Sequence, residues 1–282
     1  MRLARVGAAG RESAVVIDDG VARRLPEALG DIDADFWRED RIVEVRRLCE
    51  AGALGEVVER PLRFGAPIAK PEKVICIGLN YRDHAAESGQ AIPTEPIIFM
   101  KAPNCVIGPD DEVLVPREST KTDWEIELGV VLGRRARYLS SPEEAASVIA
   151  GYCISHDVSE REFQLERGGQ WDKGKSCETF NPLGPWLVTS DEVPDPQSLA
   201  LRLSVNGVLR QNGTTADMIF GVHHIIWYLS QFMVLEPGDL VNTGTPAGVA
   251  LGHPDVAFLK VGDVTELTIN GLGSQRSVFG QA

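Results

Sequence analysis

Apolar and polar positions change period several times along this chain. Near the start, "SAVVID" is a short apolar run with strand character. The segment "EDRIVEVRRLCEAG" repeats apolar residues at Ile42, Val45, Leu48 and Cys49, the spacing of one helix face. A following stretch, "FGAPIAKPEK", holds a glycine and two prolines and predicts a linker. These signals divide the chain into a small N-terminal α+β domain, residues 1–65, and a larger domain, residues 66–282.

Beyond the linker, short apolar runs recur: "VICIG", "IIFM", "EVLVP", "EIELGVVLG" and "GYCISHD". Their length and β-branched content predict strands. In "LALRLSVNGVLRQNG" an Asn206-Gly207 pair separates two alternating runs, a hairpin signal, and "DVTELTINGLGSQRSVF" repeats the pattern. Helices interrupt the strands. "SPEEAASVIAG" predicts one, with Ser141 as N-cap and Pro142 in the first turn. The uncharged run from Met218 to Leu235 contains two His, a Ser and a Gln, and predicts a buried helix instead of a membrane span. The fold class expected is α+β, mostly β.

Charge and cysteine usage narrow the function. The 282 residues carry a formal net charge of -13, which argues against nucleic acid as a partner. The five cysteines are widely spaced and form no C-x-x-C pair, as expected in a reducing compartment. The first twenty residues lack the apolar core of a signal peptide. A cytoplasmic protein without a membrane partner is expected.

Four stretches hold candidate chemistry. In "KTDWEIELGVVLG", Asp123, Glu125 and Glu127 alternate with Trp124, Ile126 and Leu128, so a strand would put the three acids on one face. Two like charges about 4 Å apart repel by roughly 4 kcal/mol at an intermediate dielectric. Either that face is wet, or a hard divalent cation neutralises it. In "GLNYRDHAAESG", His84 and Glu87 share a helix face. They are either a general base with its orienting carboxylate or an incidental surface pair. In "GYCISHDVSEREFQLERGG", Asp157 ends a strand before a short polar helix bearing Arg161 and Gln164. Asp157 is there a helix N-cap, answered by Glu160, or a functional carboxylate. In "GDLVNTGTPAGVALG", backbone N–H groups and the hydroxyls of Thr243 and Thr245 could hold a carboxylate.

One further match is a decoy. Gly169 to Ser176 fits G-x-x-x-x-G-K-S, but a charged helical stretch precedes it and Pro182 and Pro185 follow it. A phosphate loop needs a buried strand before and a long helix after, so nucleotide binding is not expected. Lys175 remains as a cation for an oxyanion. His156, His223, His224 and His253 show no metal-type spacing and are read as structural.

In this order, "GLNYRDHAAE", "DWEIELGVVLG", "HDVSEREFQ", "WDKGKS" and "NTGTPAGV" resemble the fumarylacetoacetate hydrolase family, from about Lys73 to the C-terminus. The resemblance is nearest to bacterial enzymes acting on 2,4-diketo-3-deoxy-L-rhamnonate or L-fuconate, often labelled ureidoglycolate lyase. It implies a mixed β-sandwich roll, a homodimer, and Mg²⁺ or Mn²⁺ held by Glu125, Glu127 and Asp157, with Asp123 behind them. It implies His84, Glu87 and Lys175 as catalytic residues and Arg161, Gln164 and Thr245 as substrate contacts. Some relatives read "GRNY" where this chain has Leu79. The implied reaction is metal-dependent hydrolysis of the C3–C4 bond of a 2,4-diketo acid, giving pyruvate and a small acid such as lactate. Oxaloacetate decarboxylation or hydrolysis of another acylpyruvate is the alternative. Ureidoglycolate lyase activity and a non-catalytic metal-binding role rank below these.

Overall fold

The computed structural model describes residues 1–59 and 62–282. Its strands are β1 Arg2–Val6, β2 Ser13–Asp18, β3 Val21–Arg24, β4 Phe64–Gly65, β5 Val74–Gly78, β6 Ile97–Lys101, β7 Val106–Ile107, β8 Val113–Val115 and β9 Thr122–Asp123. They continue as β10 Ile126–Leu132, β11 Ile149–His156, β12 Ser159–Glu160, β13 Asn181–Thr189, β14 Ala200–Val205, β15 Val208–Thr214, β16 Leu240–Asn242, β17 Val264–Ile269 and β18 Gly273–Gln281. The α-helices are α1 Ala34–Arg38, α2 Arg41–Glu50, α3 Arg82–Glu87, α4 Asp172–Lys175 and α5 Val222–Ser230. The fold is mostly β, as expected from the run of short apolar segments.

The larger sheet runs β3-β2-β1-β13-β11-β10-β16-β5-β6, with β4 beside β1 and β7 beside β13. The N-terminal strands therefore join the main sheet through the β1–β13 pair. A second sheet runs β15-β14-β17-β18-β8. One core lies between the sheets and includes Trp124, Ile126, Leu128, Leu201, Leu203 and Phe279. The opposite face of the large sheet packs on α1 and α2 through Cys76, Val131, Cys153, Phe36, Trp37 and Val45. All seven residues of β10 are buried, because both its faces are covered.

Several local expectations are corrected. Ser141 makes no side-chain cap, and Pro142–Val148 is a 3₁₀ helix that runs directly into β11. The stretch 64–73, read as a linker, is packed into the fold: Ala66 and Ile68 are buried in the second core, and Phe64–Gly65 pairs with β1. The hairpin at Asn206-Gly207 forms with both residues at positive φ, 51° and 76°, as a two-residue turn of that kind demands. The later hairpin closes at Ile269 opposite Gly273, so its loop has one residue more. The long uncharged run folds as only nine helical residues, α5. No helix among the described residues is long and apolar enough to cross a membrane.

Strand directions decide where the site lies. β16 runs parallel to β5 and antiparallel to β10, and β10 runs antiparallel to β11. The C-terminal ends of β5, β16 and β11 and the N-terminal end of β10 therefore meet at one edge of the sheet. The loop to α3, the Gly-Thr loop after Asn242, Asp157 and Glu125 all leave from that edge.

Candidate active site

Three of the acids singled out in the sequence converge there. Glu125, Glu127 and Asp157 are buried, and one oxygen from each lies within 4.8 Å of the others. The strand row is interrupted at Trp124 and Glu125, which belong to no regular strand. Asp123 consequently turns away from the triad. It accepts from Arg161 Nε at 2.8 Å and from the backbone N–H groups of Ala250 and Leu251 at 2.8 and 3.1 Å.

The wet-face reading of the acid row fails, since Asp123, Glu125 and Glu127 are at most 5% exposed. Cations replace water. Lys175 Nζ donates to Glu125 Oε2 at 2.6 Å and to Asp157 Oδ2 at 2.8 Å. Arg161 Nη2 lies 2.7 Å from Glu125 Oε1. Lys101, which sequence reasoning missed, donates to Asp157 and to the Phe180 carbonyl at 2.8 Å. The available signal was a lysine closing the apolar run "IIFM": lysine is almost never fully buried without a partner.

These neighbours split the acids electrostatically. Burial opposes ionisation of Glu125, but Lys175 and Arg161 outweigh it and hold its carboxyl down to about 2. Glu127 is pushed well above the usual range by burial and by the charges of Asp157 and Glu125. It is the acid least compensated by protein cations. Three hard oxygen donors close together, one of them short of positive charge, fit a divalent cation such as Mg²⁺ or Mn²⁺.

Asp157 is not a helix N-cap, because its oxygens are taken by Lys101 and Lys175. The chain forms β12 after it, and Glu162–Glu166 is a π-helical turn. Such turns concentrate at functional sites. Here the turn puts Arg161 Nη1 3.0 Å from Gln164 Oε1 and both side chains on the cavity. α4 has only four residues, and Lys175 points at carboxylates, so the G-x-x-x-x-G-K-S match builds no phosphate loop.

The cavity above the triad holds about 170 Å³ and is lined by Leu79, His84, Glu125, Glu127, Arg161, Gln164, Trp171, Lys175 and Thr245, among others. Leu79 sits at φ 51°, and Asn80 pins the loop by donating to the carbonyls of Phe220 and Thr243. Thr245 Oγ1 donates to the Ile126 carbonyl and accepts from Gln211, so it also braces the strand beside the acids. On α3, His84 Nδ1 and Glu87 Oε1 face each other at 3.9 Å, and both are buried without another hydrogen-bond partner among the described residues. One imidazole read as structural reaches this pair: His253 Nε2 lies 3.2 Å from Glu87 Oε2. His156 is fully buried against Phe279, and burial, reinforced by Lys101, pushes its pKa to about 3, which keeps it neutral.

A mostly β fold with an acidic triad at a sheet edge, beneath a helix carrying His and Glu, defines the class of a carboxylate-site enzyme. The family described as "Fumarylacetoacetate (FAA) hydrolase C-terminal" matches residues 73–279. The chain belongs to the fumarylacetoacetate hydrolase family. It is 48% identical over 277 residues to a Burkholderia multivorans protein named "Putative hydrolase", covering 98% of this chain and 97% of that one. It is similar to the structure of 5-carboxymethyl-2-hydroxymuconate delta-isomerase from Mycobacterium smegmatis (31% identity, TM-score 0.77, covering 100% and 99%). It is also similar to maleylpyruvate hydrolase from Sphingobium sp. SYK-6 in complex with manganese(II) and pyruvate (25% identity, TM-score 0.82, covering 100% of both chains).

Proposed function

We propose that this protein is a divalent-metal-dependent hydrolase that cleaves the C3–C4 bond of a 2,4-diketo acid, of the 2,4-diketo-3-deoxy sugar acid type, to pyruvate and a small acid. The observation that carries the reading is the buried Glu125–Glu127–Asp157 triad, whose two glutamates open into a cavity that also presents His84, Lys175, Arg161 and Gln164. The similarity to a maleylpyruvate hydrolase in complex with manganese(II) and pyruvate supports it.

Glu125, Glu127 and Asp157 would hold Mg²⁺ or Mn²⁺, which supplies Lewis-acid stabilisation of negative charge on a 2-oxo acid. Arg161, Gln164 and Lys175 present N–H donors to the substrate's carboxylate and carbonyl oxygens. With Nδ1 turned to Glu87, His84 has Nε2 left to take a proton from water. The resulting hydroxide attacks the C4 carbonyl, and the C3–C4 bond breaks with the electron pair leaving on C3. The leaving group is the enolate of pyruvate, which then takes a proton at C3. Lys175 offsets the charge that develops during the attack. Burial of its ammonium opposes its charge, yet Asp157 and Glu125 hold it protonated above the ordinary lysine range.

A second reading, loss of CO₂ from oxaloacetate, needs the same triad, since it also yields the enolate of pyruvate. The test incubates the protein with 2,4-diketo-3-deoxy-L-rhamnonate, its L-fuconate counterpart, maleylpyruvate and oxaloacetate, with Mg²⁺, Mn²⁺ or EDTA. Metal-dependent pyruvate plus lactate from a deoxy sugar acid establishes the first reading. Pyruvate from oxaloacetate alone establishes the second. Glu125→Gln should weaken divalent binding at least about tenfold by calorimetry; unchanged affinity would move the ion elsewhere. A homodimer belongs to the same proposal and is read by light scattering.

A further inference from the structure

We infer that His253 and Gly252 are positioning residues for the Glu87 carboxylate, so that His84, Glu87 and His253 form one chain from the cavity to the surface. This rests on the proposed roles of His84 and Glu87 and adds the part that aims them.

The two oxygens of Glu87 have different surroundings. Oε2 accepts from the Gly248 backbone N–H at 2.7 Å and meets His253 Nε2 at 3.2 Å. An ionised carboxylate only accepts, so His253 must carry its proton on Nε2. Oε1 faces His84 Nδ1 with no other partner among the described residues. Holding Oε2 from two sides leaves Oε1 aimed at the imidazole. A shift of about 1 Å between His84 and Glu87 completes a hydrogen bond of ordinary length.

The loop is shaped for this group. A Cβ on Gly252 would lie 2.3 Å from Glu87 Oε1 and 2.6 Å from its Cγ. Gly252 is not in the left-handed region, so it is space for the carboxylate, and not backbone conformation, that excludes a side chain there. One other contact docks α3 to the same loop, since Asp83 Oδ2 accepts from Ala247 N at 3.3 Å, and the loop itself is fixed against β15, where a Cβ on Gly248 would meet the Arg210 carbonyl at 2.0 Å. The His253 side chain is 48% exposed, whereas Glu87 and His84 are 10% and 11% exposed. A half-exposed imidazole adds little to the core, and its contact with Glu87 gives it a specific task.

The test compares His253→Ala, His253→Gln, Gly252→Ala and His84→Ala. Turnover is followed on whichever acid yields pyruvate, and the ring ¹⁵N resonances of histidine-labelled protein are recorded with and without Glu87→Gln. His253→Ala should lower kcat about tenfold with KM and Mn²⁺ affinity within about twofold. His253→Gln should recover most of that loss, because its amide N–H can donate to Oε2. Gly252→Ala should lower kcat further, since the Glu87 side chain must move from Cγ outward, while circular dichroism still reports a folded protein. Glu87→Gln should shift the resonances of both His84 and His253. Wild-type kcat in His253→Ala, or a His253 resonance indifferent to Glu87→Gln, overturns the inference. If His84→Ala is also fully active, the failure lies with the catalytic reading. If His84→Ala is inactive while His253→Ala is unimpaired, it lies with this inference alone.

Discussion

Lys175 bridges Glu125 and Asp157, with its Nζ 2.6 Å from one carboxylate and 2.8 Å from the other. The ammonium thus claims oxygens that a divalent cation would also use. Its charge makes the buried acids tolerable, and a metal ion would take over part of that role.

Lys175→Met separates these roles. Removing one partner of a buried ion pair costs about 3 to 5 kcal/mol, because the acids left behind lose compensation. The variant should melt well below the wild type in EDTA and recover more than the wild type when Mn²⁺ is added, by linkage of binding to folding. Equal melting in EDTA and in Mn²⁺ would mean that the triad does not bind the ion. Turnover should fall in either condition.

His84→Ala should leave calorimetric Mn²⁺ affinity unchanged, since no ligand oxygen depends on the imidazole. Pyruvate formation should drop about 100-fold or more, the usual contribution of a positioned general base. Retained turnover would mean that water is activated without it.

Leu79→Arg should change substrate preference. Leu79 lines the cavity, with its backbone at φ 51°. A guanidinium there adds a bidentate partner for a second carboxylate. The ratio of kcat/KM for oxaloacetate or maleylpyruvate to that for a deoxy sugar acid should rise about tenfold. An unchanged ratio would show that residue 79 does not meet the distal end of the substrate.

Glu12 gives a pH test far from the site. It is held by Arg63 Nη1 at 2.9 Å and Arg5 Nη2 at 3.5 Å, tying the turn between β1 and β2 to β1 and to the residue before β4. Burial opposes its ionisation, but the Arg63 hydrogen bond, other hydrogen bonds and the Arg5 charge together lower its pKa below 4.5. A lowered folded value means that this stabilisation is complete above the unfolded value and is lost as pH falls through the folded one. Glu12→Gln should cost about 1 to 2 kcal/mol at pH 7, and the gap from wild type should narrow as pH falls below the ordinary glutamate range in urea titrations. A gap that persists at low pH would show that packing, not charge, is responsible.

Much of the site was legible because strands and helices have fixed side-chain periods. Alternation put Glu125 and Glu127 on one side of a strand, helical spacing put His84 beside Glu87, and a strand end was recognisable before Asp157. The same rule misled at Asp123, where the strand breaks at Trp124 and the carboxylate turns to Arg161 and the 250–251 backbone. Lys101 and His253 were illegible as site residues. Lys101 offered only the hint of a lysine ending an apolar run and His253 none, and they meet their partners across 56 and 166 positions of sequence.

The sequence by itself determined the mostly β class, the Asn206-Gly207 turn and the set of acids, because these depend on propensity and periodicity within a few residues. Tertiary structure alone decided which carboxylates are compensated and which is left short of charge. It also decided that four strand ends meet at one edge, and that a glycine leaves room for Glu87. Charge compensation and close packing act through space, between residues whose separation along the chain carries no signal.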